Sequence, residues 1–475
     1  MKKSIFAIAF LCFVVALTSS CNKDKIYTSG TGALTFSEDT LTFDTVFTTL
    51  GTSTRFFKVE NTKKSDVHID KIIIAEGDAS PFRLNVDGVT VMGTEIENVI
   101  VPADDYIYIF VEATLGENNQ SDPLIILNEL QYHYNGGIQS SYLRAWGQDA
   151  YFHYGEVYEN ENVIWQNDKP HVIVGNEEFQ SGLGVDSFST LTIMPGCRVY
   201  TALGDGILVD GELIVGQAGS MDSVVFEGDR QEIEFDDIPG QWFGIGLLGG
   251  STAEFHNVTI NEANYGIMAR FIGGNFSSFT DAGRPDITLD KVLIKNTAQN
   301  ALIGLNAKIT AENCIFHSAG NNLVSLVLGG EYDFDNCTLY NSGGLGLSHD
   351  EELLAISDIA SNGFSGGEGN LDQADFTNCI VYGTLQEEIL INNSSNGAFE
   401  YQFENCLVKT LANTDTSVYI NCVVNDNPQF ESTSDRDFHL TENSPCIDAG
   451  TNNGVVDDYS FNTRTNQDIG AFEFQ

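Results

Sequence analysis

Five times in the second half of the chain an Asn-Cys pair recurs in one setting. An apolar or aromatic residue stands two positions before it, and two strand-forming residues follow. The copies are Ala311-Glu-Asn313-Cys314-Ile-Phe316, Phe334-Asp-Asn336-Cys337-Thr-Leu339, Phe376-Thr-Asn378-Cys379-Ile-Val381, Phe403-Glu-Asn405-Cys406-Leu-Val408 and Tyr419-Ile-Asn421-Cys422-Val-Val424. Phe255-His-Asn257-Val258-Thr-Ile260 and Leu289-Asp-Lys291-Val292-Leu-Ile294 are looser copies. Successive Asn-Cys pairs lie 23, 42, 27 and 16 residues apart. Most of these gaps are close to one coil of a solenoid or two, with insertions, each coil burying its apolar side against the next. Parallel strands in such a stack sit about 4.8 Å apart, so equivalent residues form columns. Cysteine suits an interior column because it is small and apolar. Asparagine suits a turn column, since it tolerates left-handed backbone angles and its amide can bond to a neighbouring coil. The pairs Asn313-Cys314, Asn336-Cys337, Asn378-Cys379, Asn405-Cys406 and Asn421-Cys422 are therefore read as a structural ladder. No Cys-x-x-Cys spacing occurs, which argues against a metal or redox role.

The ends carry a different signal. Lys2 and Lys3 precede an apolar run from Ile5 to Leu17, which is short for a membrane span. Leu17-Thr-Ser-Ser-Cys21 resembles a bacterial lipoprotein box, which implies cleavage before Cys21 and acylation of its thiol. Residues 1–20 are then a signal peptide, and residues 21–30 an anchor and tether. Lys23-Asp24 resembles, weakly, the charged export tags of Bacteroidota surface lipoproteins. That implies an outer-membrane anchor exposed at the cell surface, with a periplasm-facing anchor as the alternative. Of nine cysteines, Cys12 and Cys21 fall in this segment, and the odd seven that remain argue against a complete disulfide framework.

The chain has 22 basic against 67 acidic residues, a net charge of −45. Such a chain does not bind nucleic acid through phosphates, which needs Lys and Arg. It also repels anionic polymers unless cations intervene. Calcium is compatible with this chemistry, although no cofactor is indicated by any ligand pattern.

Residues 31–155 alternate apolar and polar positions in short runs broken by turns, as in Leu34-Thr-Phe36 and Tyr106 to Ala113. Phe43 to Asn61 and Val101-Pro102-Ala103 resemble the immunoglobulin-like modules of bacterial surface proteins, implying a β-sandwich that acts as spacer or platform. From residue 160 to 475 the coils take over. Gly206 to Gly216, Val224 to Arg230, Pro239 to Ile245 and Gly249 to Ser251 resemble the opening coils of a bacterial β-helix group. Asn427-Pro428, Phe438-His-Leu440, Ser444 to Gly450, Arg464 and Asp468 to Glu473 resemble the closing segment of pectate-lyase-like right-handed parallel β-helix proteins exported by Bacteroidota. In that reading Asp448, Arg464, Asp468 and Glu473 are structural and satisfy the open edge of the last coil.

Fold alone does not decide activity here. A uronate lyase needs a base and a cationic neutraliser. Basic residues are scarce, and Arg270, Arg284 and Lys291, with Lys295, are the cluster to inspect, alongside Asp281 and Asp286. Their alternative is ordinary surface ion pairing. Asp236-Asp237 lacks the companions of a polygalacturonase site. His349-Asp-Glu-Glu352 opens the longest interruption, residues 342–375, where a loop site or a short helix from Glu351 to Ile359, capped by Ser348, is expected. Trp242 is expected to pack within a turn. The sequence favours an anchored, non-catalytic protein that binds glycan or another surface polymer. A polysaccharide lyase or glycoside hydrolase of the same fold, and a structural spacer, are the alternatives.

Overall fold

The computed structural model describes residues 25–48, 51–116, 124–176, 182–270, 283–344, 346–360, 367–414 and 417–475. The signal segment, Cys21 and Asp281 lie outside the described residues. The chain divides into two compact units, residues 1–149 and 150–475. Both are all-β, and no α-helix occurs among the described residues.

The first unit holds two five-stranded sheets. One contains Leu34–Phe36, Arg55–Asn61, Tyr106–Ala113, Phe82–Val86 and Val89–Thr90, all antiparallel. The other contains Thr40–Phe47, Gly137–Gln148, Leu124–Tyr134, Val67–Ile74 and Glu95–Val101. Its first two strands pair in parallel. Alternation puts every second residue of each sheet into one shared core, where Phe57 and Ile109 of the first sheet meet Ile69, Tyr132 and Leu143 of the second. The side chain of the buried Asn61 donates to the carbonyls of Val101 and Pro102 at 3.0 and 2.9 Å, joining the two motif segments.

The second unit is one parallel sheet of 26 strands that curls nearly closed, a β-helix-like solenoid. Each strand pairs with its counterpart one coil later. Thr190 pairs with Glu212, Leu302 with Val324 and Ile315 with Thr338. The 42-residue gap in the Asn-Cys series is a single coil, since Thr338 pairs directly with Ile380. The excess is the insertion after Asn341. Inside it, Leu354–Ser357 is a strand rather than the expected helix. It pairs with Val324–Leu326 and Ile389–Asn392, and its alternating apolar residues continue the interior columns.

The ladder has the left-handed turn that its asparagines suggested. Asn257, Lys291, Asn313, Asn336, Asn378, Asn405 and Asn421 all hold φ between 49° and 55°. Beside them Cys314, Cys337, Cys379 and Cys406 are fully buried. All seven described cysteines are free thiols. Phe334, Phe376, Phe403 and Tyr419 stack in the interior at 4.9, 4.9 and 5.2 Å between ring centroids. Asn378 bonds to the next rung, Asn336, at 3.4 Å, and Asn257 donates to the Ser220 carbonyl of the preceding coil at 3.1 Å. Four rungs turn outward. Asn313, Asn336, Asn378 and Asn405 donate to the carbonyls of Asp457, Asp468, Thr451 and Ala449.

The C-terminal segment therefore runs along the flank of several coils, not across the last one. Arg464 is buried and bonds to Glu473, to Asn313 and to the Gly470 carbonyl. Asp468 accepts the N–H groups of Asp448 and Phe474. The reason is apolar surface. Ile315, Ile380 and Leu407 point outward from the coils and need a cover, which Phe438, Leu440, Ile469, Ala471 and Phe472 supply.

Candidate functional site

The basic cluster divides in the fold. Arg270 and Arg284 come together at one corner of the coils. Arg270 has φ of 68° and donates to the Gly283 carbonyl at 3.1 Å. Burial, and the charge of Arg284 beside it, lower its affinity for its proton. Arg284 donates to Asn306 at 2.6 Å and to Asp372 at 2.7 Å. Asp286 holds Lys308 at 3.0 Å on the neighbouring sheet face. Lys291 lies elsewhere. It occupies the ladder rung between Asn257 and Asn313, with its amine on Asp290 at 3.2 Å and Asp457 at 2.9 Å. Its place in the fold is a turn position tied to the C-terminal segment.

His349 is likewise tied down. Its Nε2 lies 3.1 Å from Glu388, with both side chains buried, and its Nδ1 is 3.0 Å from Thr384. Trp242 is fully buried and donates to the Asn261 carbonyl at 2.7 Å.

Asp236, Asp237 and Glu262 offer carboxylate oxygens within 4.8 Å of one another. A calcium site would need those oxygens free. Here Asp237 accepts from Lys295, Asn296 and Asn261 at 2.7, 2.8 and 3.0 Å. Glu262 accepts the N–H groups of Gly228 and Asp237. Through these bonds, all three of those to Asp237 on its Oδ1, the pair of Asp237 and Glu262 closes the 229–240 loop. Burial pushes Glu262 up to about 7. Burial also pushes on Asp237, but the hydrogen bond and charge of Lys295 outweigh it and hold that carboxyl low.

Register reveals surfaces that spacing along the chain does not. Asn261, Lys295, His317, Tyr340 and Tyr382 share one column on the outer side of the coils, after Tyr200 and Glu227 in earlier coils, but Tyr200, Asn261, His317 and Tyr340 are buried, the last two against Phe438. Burial, then Asp236 nearby, raises the Glu227 carboxyl. On another face Asp290, Glu312 and Asp335 stand in successive coils, beside Asp333 and Asp375. Burial pushes Asp335 up to about 7. Few bases answer these acids: Lys291 and His256 on Asp290, and Lys308 on Asp286. Such a face repels uronate and sulphate polymers.

The first unit carries an aromatic stripe. Tyr106, Tyr108 and Phe110 occupy the outward positions of one strand, alternating with the buried Ile107, Ile109 and Val111. Phe56 stands opposite Phe110 on the next strand. Phe56 is 51 % exposed and Tyr106 41 % exposed. Ring centroids are 5.3 Å apart for Phe56 and Tyr108, 5.3 Å for Tyr106 and Tyr108, and 5.9 Å for Tyr108 and Phe110. Lys58 lies 4.0 Å over the Tyr106 ring. A hydrogen bond in which Tyr108 is the donor to Tyr106 raises the Tyr108 hydroxyl above its ordinary range. Alternation along Tyr106–Phe110 was the available signal. Pairing with Phe56 was not visible in the sequence.

No family model matches the chain. No curated protein matches it either. Among solved structures five chains match. One is a family 123 glycoside hydrolase from Clostridium perfringens, 8% identical, with a TM-score of 0.17. That match covers 27% of this chain and 26% of the hydrolase. A likeness of that extent carries no argument about fold or activity.

Proposed function

We propose that this chain is a lipid-anchored surface protein that binds a neutral polymeric glycan. The observation that carries the reading is the stripe of Phe56, Tyr106, Tyr108 and Phe110. Sugar rings present C–H faces that pack on exposed aromatic rings, and outward-facing rings on a sheet form a platform fixed by the backbone. The acidic faces of the solenoid favour a polymer without carboxylates or sulphates. The first unit is an immunoglobulin-like sandwich, supported by its two sheets over one core and by the Asn61 clamp. The second is a right-handed, pectate-lyase-like β-helix, supported by the parallel coils and the Asn-Cys ladder. The lipoprotein box at Cys21 supports anchorage in the outer membrane of a Bacteroidota cell.

The test is retention of the chain, from residue 22 onward, on a panel of plant, host and microbial glycans. Phe56→Ala and Tyr106→Ala are each expected to weaken the retained glycan by about tenfold, or ~1.4 kcal/mol. Binding that ignores both substitutions refutes the platform. A depolymerising enzyme is the second reading, favoured by Glu227 and Lys295 on the same outward column. New chain ends appearing in any glycan of the panel, and lost in Glu227→Gln, would replace the binding-only reading.

A further inference from the structure

A cavity of about 250 Å³ opens where Asp358 and residues 368–370 meet residues 394–397. Its walls are Asn306, Asp358, Glu368, Asn370, Ser394 and Asn396, with the backbone of Gly369 and Gly397. Three features of the coils make it. Asn306 takes φ of 47° where the register of its strand shifts by one residue against the next coil, and this bulge opens the corner. Asp358, buried behind the cavity, accepts the Ser394 N–H at 2.8 and 3.0 Å and its hydroxyl at 2.6 Å, which locks one loop to the other. Asn370 accepts the Ala398 N–H at 3.2 Å, and its own carbonyl receives the Gly330 N–H at 2.8 Å. The walls are thus fixed by hydrogen bonds to the scaffold, and binding would require little ordering.

The wall chemistry names a ligand class. The Asn306 side-chain oxygen is engaged by Arg284 at 2.6 Å, so its amide group is the part offered as a donor. The Asn370 oxygen is engaged by Ala398, which again leaves the amide. Glu368 and Asn396 bond to each other through one oxygen and one amide at 3.0 Å, leaving a carboxylate oxygen and a carbonyl as acceptors. The wall therefore offers both donors and acceptors to a small space. A pair of neighbouring hydroxyls, each both donor and acceptor, answers that pattern. Anions do not fit. Arg284 is neutralised by Asp372 at 2.7 Å, and Asp358 and Glu368 add negative charge.

We infer that this cavity binds one uncharged sugar unit of the polymer through its vicinal hydroxyls. The inference rests on the glycan-binding reading and adds a site remote in sequence from the aromatic stripe. Titration calorimetry of the chain from residue 22 onward with neutral cello-, manno-, xylo- and malto-oligosaccharides tests it. Asn306→Ser, and the paired Glu368→Ala and Asn396→Ala substitutions, should each weaken the bound oligosaccharide by tenfold or more, with thermal unfolding unchanged for the pair. The pair lies on exposed loop positions and its side chains bond to each other, so it keeps the test open should Asn306→Ser disturb the corner. Binding that survives the pair but is lost in Phe56→Ala overturns the cavity and leaves the glycan reading standing. No binding to any of the four series overturns the cavity. If the wider glycan panel is also not retained, the glycan reading falls with it.

Discussion

Replacing Asn378 tests why asparagine occupies the ladder at all. Its φ is 55°, a region where side chains other than Gly, Asn and Asp cost about 1–2 kcal/mol. Its amide donates to the Thr451 carbonyl at 2.8 Å and its oxygen accepts the Thr451 N–H at 2.7 Å. The side chain is fully buried, so removing it leaves buried polar groups unpaired, at roughly 1–3 kcal/mol each. Asn378→Ala incurs both losses, and with two groups left unpaired the sum is about 3–8 kcal/mol. Asn378→Gly incurs only the second, because glycine adopts this angle freely. Asn378→Asp keeps the acceptor and the angle and loses the donor. The order of stability in urea is therefore wild type, Asp, Gly, Ala, with Ala about 1 kcal/mol or more below Gly. Unfolding followed by tryptophan fluorescence and far-ultraviolet dichroism gives the ranking, whether or not the two units melt together. Ala equal to or above Gly would show that the left-handed turn is not what selects asparagine.

Three further outcomes follow from the same interior. Phe376 is fully buried and stacked on both sides at 4.9 Å, so Phe376→Ala should cost about 3–5 kcal/mol, while Phe376→Leu in the same urea series costs clearly less. Thiol titration of the native chain should label Cys422, the one partly exposed ladder cysteine, well before Cys314, Cys337, Cys379 and Cys406. Reductant should leave the melting temperature unchanged, and a shift would reveal a disulfide. His171 bonds His153 at 3.0 Å, and burial is the main cause that holds its imidazole at about 4. A pKa below the unfolded value of roughly 6.5 means the fold prefers the neutral ring. That contribution is complete above pH 6.5 and is lost as pH falls toward 4, on the order of 3 kcal/mol. Urea unfolding at pH 7.5 and 4.5 should show the loss in the wild type and a smaller one in His171→Gln. Equal slopes would refute it.

The solenoid was legible because its restraint is local. A left-handed turn, a small buried thiol and a following strand occupy adjacent residues, so Asn313-Cys314 and its four relatives announce the coil without any partner in view. Lys291 shows the limit. It sits at the same angle in the same column, yet as a lysine it read as a catalytic candidate beside Arg270 and Arg284. Leu354–Ser357 shows another limit. Four residues after an acidic run suit a helix locally, but the strands above and below decide otherwise. Arg464 and its neighbours were expected at the open edge of the last coil, but they lie along the flank of several coils, because Ile315 and Ile380 declare themselves outward only once the coils are wound.

The sequence by itself determined the all-β character, the repeating coil, the turn residues and the buried, unlinked cysteines, each a property of a few consecutive residues. Tertiary structure alone decided which side chains share a face. The Phe56–Tyr106–Tyr108–Phe110 stripe joins residues some fifty positions apart, and the Asn306 cavity joins three loops. Register between strands places them, and register is set by the packing of the whole interior, not by any stretch of chain.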